Sequence, residues 1–305
     1  MKTFFLSEGT EKKEISYITE SELSYNALAV ENMMLESDLA YQSILQEAIL
    51  GEAQLLQENT RGEKLKAGAK NLATGAKNTL VKFFQGMLDW FKDIGKVLVQ
   101  LVKTVIEPAV NTINTLVDQY KSVTDNTEVT VKSSYGSYNL LVIKEAQIKK
   151  FTNRLKATKR PETLDAINQE IADTFPKSKK TGEVIIQAKE ARAMLVACKA
   201  LADQAKKTAA EIAKATKEGA KDSKKGVDES NKDNADRNLL ERLKDAVTEL
   251  RKKISGENKQ AREAIKIASS LAKSYARALS TVGARTAGNK AKGAAGAAKD
   301  RLKRK

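Results

Sequence analysis

From Val184 to Gly219, small and apolar residues return at three- and four-residue steps: Val184, Ala188, Ala191, Leu195, Cys198, Ala202, Ala205, Ala209, Ile212, Thr216 and Gly219. Five heptads of this spacing draw one narrow seam along one side of a helix. Five of its eleven members are alanine, so the seam suits a partner helix that comes close rather than a thick globular core. Three prolines in 305 residues and an aromatic content of 5% agree. The sequence predicts an all-α protein: an elongated helical bundle of coiled-coil-like hairpins, with one small β-hairpin at about 127–143.

Five segments are expected. Residues 1–60 form an acidic helical N-terminal segment, with three lysines against eleven Asp and Glu. Residues 61–121 form an amphipathic apolar helical segment. Within it Leu80, Phe84, Met87, Leu88, Phe91, Ile94, Leu98, Leu101, Val105, Ile113, Leu116 and Tyr120 make one stripe, which Phe83, Trp90, Val97 and Val102 broaden. A stripe that wide is a core-facing helix or one able to lie in a membrane interface. Pro108 marks the expected bend. Residues 122–143 hold the expected hairpin: Thr127–Lys132 alternates polar and β-branched residues, Tyr135-Gly136-Ser137 turns, and Tyr138–Ile143 forms the second strand.

Residues 144–283 form a basic helical bundle. One helix runs to about Lys156. Another starts at Arg160-Pro161-Glu162, with proline at a permitted first-turn position, and ends near Phe175-Pro176. Lys177–Gly182 is a cationic loop before the seam helix. Gly219–Asp236 is almost wholly polar and reads as a solvated linker or as the exposed end of a helical hairpin. A helix through Leu243, Val247 and Ile254 follows, and Ser255 caps a final one that closes near Gly283. Residues 284–305 form a cationic flexible tail with eight Lys and Arg and one acid.

The chain contains no histidine and one cysteine, with 54 Lys and Arg against 39 Asp and Glu. Histidine is the usual general acid and base near neutral pH and the commonest metal ligand. This composition argues against Cys/His zinc sites and histidine-containing triads. Gly95-Lys96 lies inside the apolar helix, without the loop context that a phosphate-binding loop needs. No catalytic residue, metal site or cofactor is expected, and no small-molecule substrate. Cys198 reads as a buried small hydrophobe. The opening apolar run of Phe4-Phe5-Leu6 is too short for a signal peptide, and no window has the length of a membrane span. Synthesis in a reducing cytoplasm is expected.

The cationic residues Arg285, Lys290, Lys292, Lys299, Arg301, Lys303, Arg304 and Lys305 are the expected contacts to nucleic acid, joined by the cluster at 177–180. No base-reading motif accompanies them, so the expected binding is electrostatic, sequence-independent and sensitive to salt. An acidic protein surface satisfies the same charge.

Met1-Lys2-Thr3-Phe4, followed by Tyr17-Ile18-Thr19-Glu20, resembles the leader of head-interior proteins in large tailed bacteriophages. Those leaders end at an aliphatic-x-Glu bond cut by a prohead protease. Leu6-Ser7-Glu8, Leu45-Gln46-Glu47 and Leu56-Gln57-Glu58 fit the same pattern. The resemblance covers about twenty residues of the sequence. It implies a helical protein packaged with phage DNA or ejected alongside it. The expected function is therefore a non-enzymatic structural virion protein, made in the host cytoplasm and located in or on the head interior. It would assemble as a homo-oligomer or with other virion proteins and touch DNA or acidic surfaces. The alternative is a membrane-active pore-former or ejection protein that inserts the 79–120 helix, with Phe83, Phe84, Trp90 and Phe91 as membrane or core anchors.

Overall fold

A computed structural model describes residues 65–302 apart from 125, 158–163 and 233, with side-chain detail from 77 to 282. The acidic segment 1–60 and the leader-like motifs lie outside the described residues. The described chain is mostly helical: α1 (Leu65–Leu101), a π-helical turn (Val102–Ile106), α2 (Glu107–Gln119), α3 (Glu145–Lys156), α4 (Leu164–Thr174), α5 (Ala188–Ser230) and α6 (Arg237–Leu302). Strands β1 (Glu128–Ser133) and β2 (Gly182–Gln187) form one two-stranded antiparallel sheet. The all-α architecture with a small β element is as the sequence predicts.

The 43 residues of α5 and 66 of α6 make helices about 65 and 100 Å long at 1.5 Å per residue. They form an antiparallel hairpin, and α1 lies against it. Every seam position from Ala188 to Gly219 is buried. The polar stretch after Gly219 is no linker. It continues the seam with Ser223, Gly226 and Ser230, all buried at the same spacing, and the Ser223 and Ser230 hydroxyls donate to the Gly219 and Gly226 carbonyls at 2.7 Å. Of the two readings offered by the sequence, the end of a helical hairpin is the one found.

The hairpin turn is held by Glu229. Its carboxylate accepts from the Asp236 backbone N–H at 3.0 Å and from Lys232 Nζ at 2.6 Å. Asp236 then caps α6 by accepting from the Leu239 N–H at 3.2 Å. Lys77 on α1 donates to the Asn231 carbonyl at 2.9 Å. The helix expected to end before Ser255 does not end there: α6 runs unbroken past that residue. It is also helical through Leu302, so the segment expected as a flexible tail from 284 begins as helical backbone.

Three helices share one seven-residue period. An added Cβ at Gly219 would lie 2.2 Å from the Phe91 ring, and one at Gly226 would lie 2.3 Å from the Phe84 ring. The order of these contacts makes α1 antiparallel to α5. One residue earlier in each repeat, Phe83 and Trp90 meet α6, under the Lys244 ammonium (5.7 Å) and the Arg251 guanidinium (5.5 Å). Phe83–Phe84 and Trp90–Phe91 are each edge-to-face pairs, at 5.3 and 5.1 Å.

Two expectations change in detail. The irregularity in 79–120 lies one turn before Pro108. A proline ring crowds the carbonyl four residues earlier and offers no N–H. The chain meets this by widening into the π turn, where the Glu107 N–H reaches the Val102 carbonyl. The hairpin at 127–143 keeps its first strand but not its second. β1 pairs with β2, in the register Val129↔Ile186 and Val131↔Val184, and Lys132 and Glu183 form an ion pair at 2.7 Å. Asn139 is the reason: its side chain accepts from the Leu141 N–H, and its carbonyl accepts from Val142 and Ile143, winding this segment into a turn. Val184 is thus a strand residue, and the seam helix starts at Ala188.

The glycine contacts generate a test. Overpacking a tight core costs roughly 1–3 kcal/mol, more than the ~1 kcal/mol of helix propensity that Gly→Ala gains. Phe84 and Phe91 are 0% and 1% exposed and have no room to retreat. Gly219→Ala and Gly226→Ala are each expected to lower stability by about 1–2 kcal/mol in urea unfolding. Gly95→Ala, whose Cβ would meet only Thr216 Cγ2 at 3.6 Å, is expected to raise it by about 0.5–1 kcal/mol.

Glu229 generates another. Its carboxyl is held below the ordinary value of 4.5, first by the Asp236 N–H and then by Lys232. A carboxyl lowered by folding stabilises in full above its ordinary value and loses that contribution as pH falls through the lowered one. The melting-temperature advantage of the wild type over Glu229→Gln is expected to be largest near neutrality and to shrink steadily below about pH 4.5.

Candidate polyanion interface

The burial of the alanine seam fixes where α5 can place its charges. Between Lys206 and Lys225 the helix carries seven lysines (206, 207, 214, 217, 221, 224 and 225) and three acids, Glu211, Glu218 and Asp222. All seven lysines are exposed. At 100° per residue they fall within one sector about 100° wide, extending about 28 Å along the helix. The acids lie along one edge of that sector. Lys206 contacts Glu107 at 3.7 Å, and Lys225 contacts Asp222 at 3.3 Å. Among the described residues, Lys207, Lys214, Lys217, Lys221 and Lys224 make no ion pair.

The neighbouring α6 surface is different in kind. Between Arg237 and Lys252, Arg237, Arg242, Lys244 and Lys252 alternate with Glu241, Asp245 and Glu249, all exposed. Mixed signs cancel over a Debye length of about 8 Å. On α5 the positive sign persists over a distance several times greater.

No family model, curated protein or solved structure matches this chain. Its function is therefore argued from its own residues.

The expected tail contacts are placed only in part. Arg285, Lys290, Lys292, Lys299 and Arg301 belong to the last turns of α6; Lys303, Arg304 and Lys305 lie outside the described residues. Lys177, Lys179 and Lys180 are exposed next to the sheet and away from the α5 face. The α5 face is built from lysines at three- and four-residue steps in the sequence. Their interleaving with Glu and Asp, inside a stretch read partly as linker, concealed it.

Phe83, Phe84, Trp90 and Phe91 are 4%, 0%, 3% and 1% exposed. They are core anchors in this structure, and membrane insertion of 79–120 requires all four to leave it. Among the described residues no helix is long and apolar enough to cross a membrane. Cys198 is fully buried, and burial pushes its thiol well above the ordinary range, as a structural cysteine requires. Trp90 emission is expected to be that of a buried indole and to stay unmoved when anionic vesicles are added. A shift accompanied by leakage would support the membrane reading instead.

Proposed function

We propose that this chain is a non-enzymatic structural protein of a tailed-phage particle, a helical rod that holds duplex DNA by its phosphates through the lysine face of α5. The observation that carries the reading is the unbalanced row of five lysines on a helix made rigid by its buried seam. The phage setting rests on the leader-like motifs in the first twenty residues. In the same reading, the cationic segment 284–305 adds further phosphate contacts, and the rods assemble with copies of themselves or with other virion proteins.

The chemistry of the face suits a backbone contact. Each lysine is a flexible point charge, with no fork to fix on a base edge. B-DNA carries one charge per ~1.7 Å of axis, so a 28 Å row of lysines always has phosphates within reach, whatever the sequence. Binding releases condensed counterions and therefore weakens steeply with salt.

Fluorescence anisotropy with a duplex of arbitrary sequence, over a range of salt concentrations, tests this. Five phosphate contacts give a slope of log K against log salt of about −4 to −5. Replacing Lys214, Lys217, Lys221 and Lys224 together by Gln is expected to flatten the slope by about 3–4 and to leave thermal stability nearly unchanged, because the four side chains are exposed. An unchanged affinity and slope in that variant would sink the assignment to α5. Truncation before Ala284 separates any contribution of the tail.

A further inference from the structure

Two segments of this chain carry opposite and complementary excesses of charge. Between Glu14 and Thr60 the sequence holds nine Asp and Glu and no Lys or Arg. The exposed face of α5 is its counterpart: Lys207, Lys214, Lys217, Lys221 and Lys224 make no ion pair among the described residues. The acidic segment lies outside the described residues, but the place where it joins the rod is fixed. α1 begins at Leu65, and Lys77, twelve residues on, donates to the Asn231 carbonyl at the turn between α5 and α6.

Distance decides which cations the acidic segment meets. At 1.5 Å per residue, Leu65 stands about 18 Å beyond Lys77, on the far side of the turn. Lys225 precedes Asn231 by six residues and Lys206 by 25, which is about 9 and 37 Å along α5. The lysine row thus lies roughly 27–55 Å from Leu65. An extended chain covers about 3.3 Å per residue. Glu52, 13 residues upstream of Leu65, therefore reaches Lys225. Asp38, 27 residues upstream, reaches every lysine of the row with length to spare for passing around the helix. The cationic last turns of α6 lie at the other end of the rod, with Arg285 48 residues, about 70 Å, from Arg237 beside the turn. Of the two cationic regions, the α5 face is the nearer by far.

Exposed ion pairs are individually weak. A tether changes the sum, because a segment on the same chain meets the face at an effective concentration of order mM. We infer that the acidic segment 14–60 docks on the lysine face of α5 and covers it until a denser polyanion displaces it. Duplex DNA has that density, with one charge per ~1.7 Å of axis against nine carboxylates in 47 residues of the segment. The competition with DNA rests on the proposed function, whereas the docking rests on the charge and reach of the chain.

Zero-length carboxyl-to-amine crosslinking of the full chain at low ionic strength, read by mass spectrometry, tests the docking. Crosslinks from carboxylates of 14–60 to Lys214, Lys217, Lys221 or Lys224 are expected, at a yield independent of protein concentration and lost at high salt. Their absence, their confinement to the lysines of 284–305, or a yield that rises with protein concentration would overturn the inference. Duplex anisotropy tests the competition. Glu31→Gln, Glu36→Gln, Asp38→Asn, Glu47→Gln and Glu52→Gln, introduced together, are expected to tighten duplex binding roughly three- to tenfold. In the variant with Gln at all four α5 lysines the same five changes are expected to have little effect, because the site they uncover is gone. An equal gain in both backgrounds means that the acids act through net charge alone; it would sink the inference while the lysine face remains the DNA contact. Crosslinks formed as expected, with duplex affinity untouched by the α5 substitutions, would remove the proposed function and leave the docking.

Discussion

The contact between two phenylalanine rings and two glycines sets the position of everything else. Phe91 and Phe84 occupy the volume that a side chain at Gly219 and Gly226 would need. Protein interiors have no slack to share out, so the rings and the bare helix backbone define each other's place. Seating α1 on α5 in this way turns Phe83 and Trp90 toward α6, beneath Lys244 and Arg251. One seven-residue period then runs through three helices. Repetition of the contact seven residues on locks the register, because a shift by one turn would set both rings against positions that carry side chains, such as Thr216, Ser223 and Ser230.

The surface follows from this burial. Packing against α1 and α6 buries about half the circumference of α5, from the seam to Met194, Leu201 and Thr208, and leaves the remainder to solvent. Long lysine side chains can stand only there. Their charges are close enough to reinforce one another, and five of them make no ion pair among the described residues. The widening at Val102–Ile106 has a similar double effect. It accommodates Pro108 without breaking the long helix, and it brings Val105 to the cavity between α6 and the turn after β1.

The sequence was most legible where size and spacing speak together. All the predicted seam positions on α5 are buried, α3 runs to Lys156 as expected, and α4 ends at Thr174, beside the expected Phe175-Pro176; its expected start at Arg160-Pro161-Glu162 lies outside the described residues. It misled where polarity was read as exposure. Gly219–Ser230 is rich in lysine and acid, yet its small residues at 219, 223, 226 and 230 keep the seam buried. Ser255 looked like a helix start but sits inside a continuous helix, since a potential cap has no effect when the chain on both sides is already packed. The second strand was assigned to the nearer apolar run at 138–143, but Asn139 turns that run back, and Val184–Ile186 takes its place. Of the candidate polyanion face, the individual lysines were visible in the sequence, but which of them stand on one solvated side was not.

Composition and periodicity by themselves determined that this chain is a helical rod with thin seams, a strong positive charge and none of the histidine on which much catalysis relies. These properties are local or additive, so no knowledge of partners is needed to read them. Only the tertiary structure decided that α1 is antiparallel to α5, that β1 pairs across some fifty residues with β2, and that Lys177 and Lys273 line one cavity. Those facts depend on which surfaces fit one another. Fit is a property of pairs of elements distant in sequence, set by the volumes of Phe84, Phe91 and the glycines opposite them rather than by any one segment's preference.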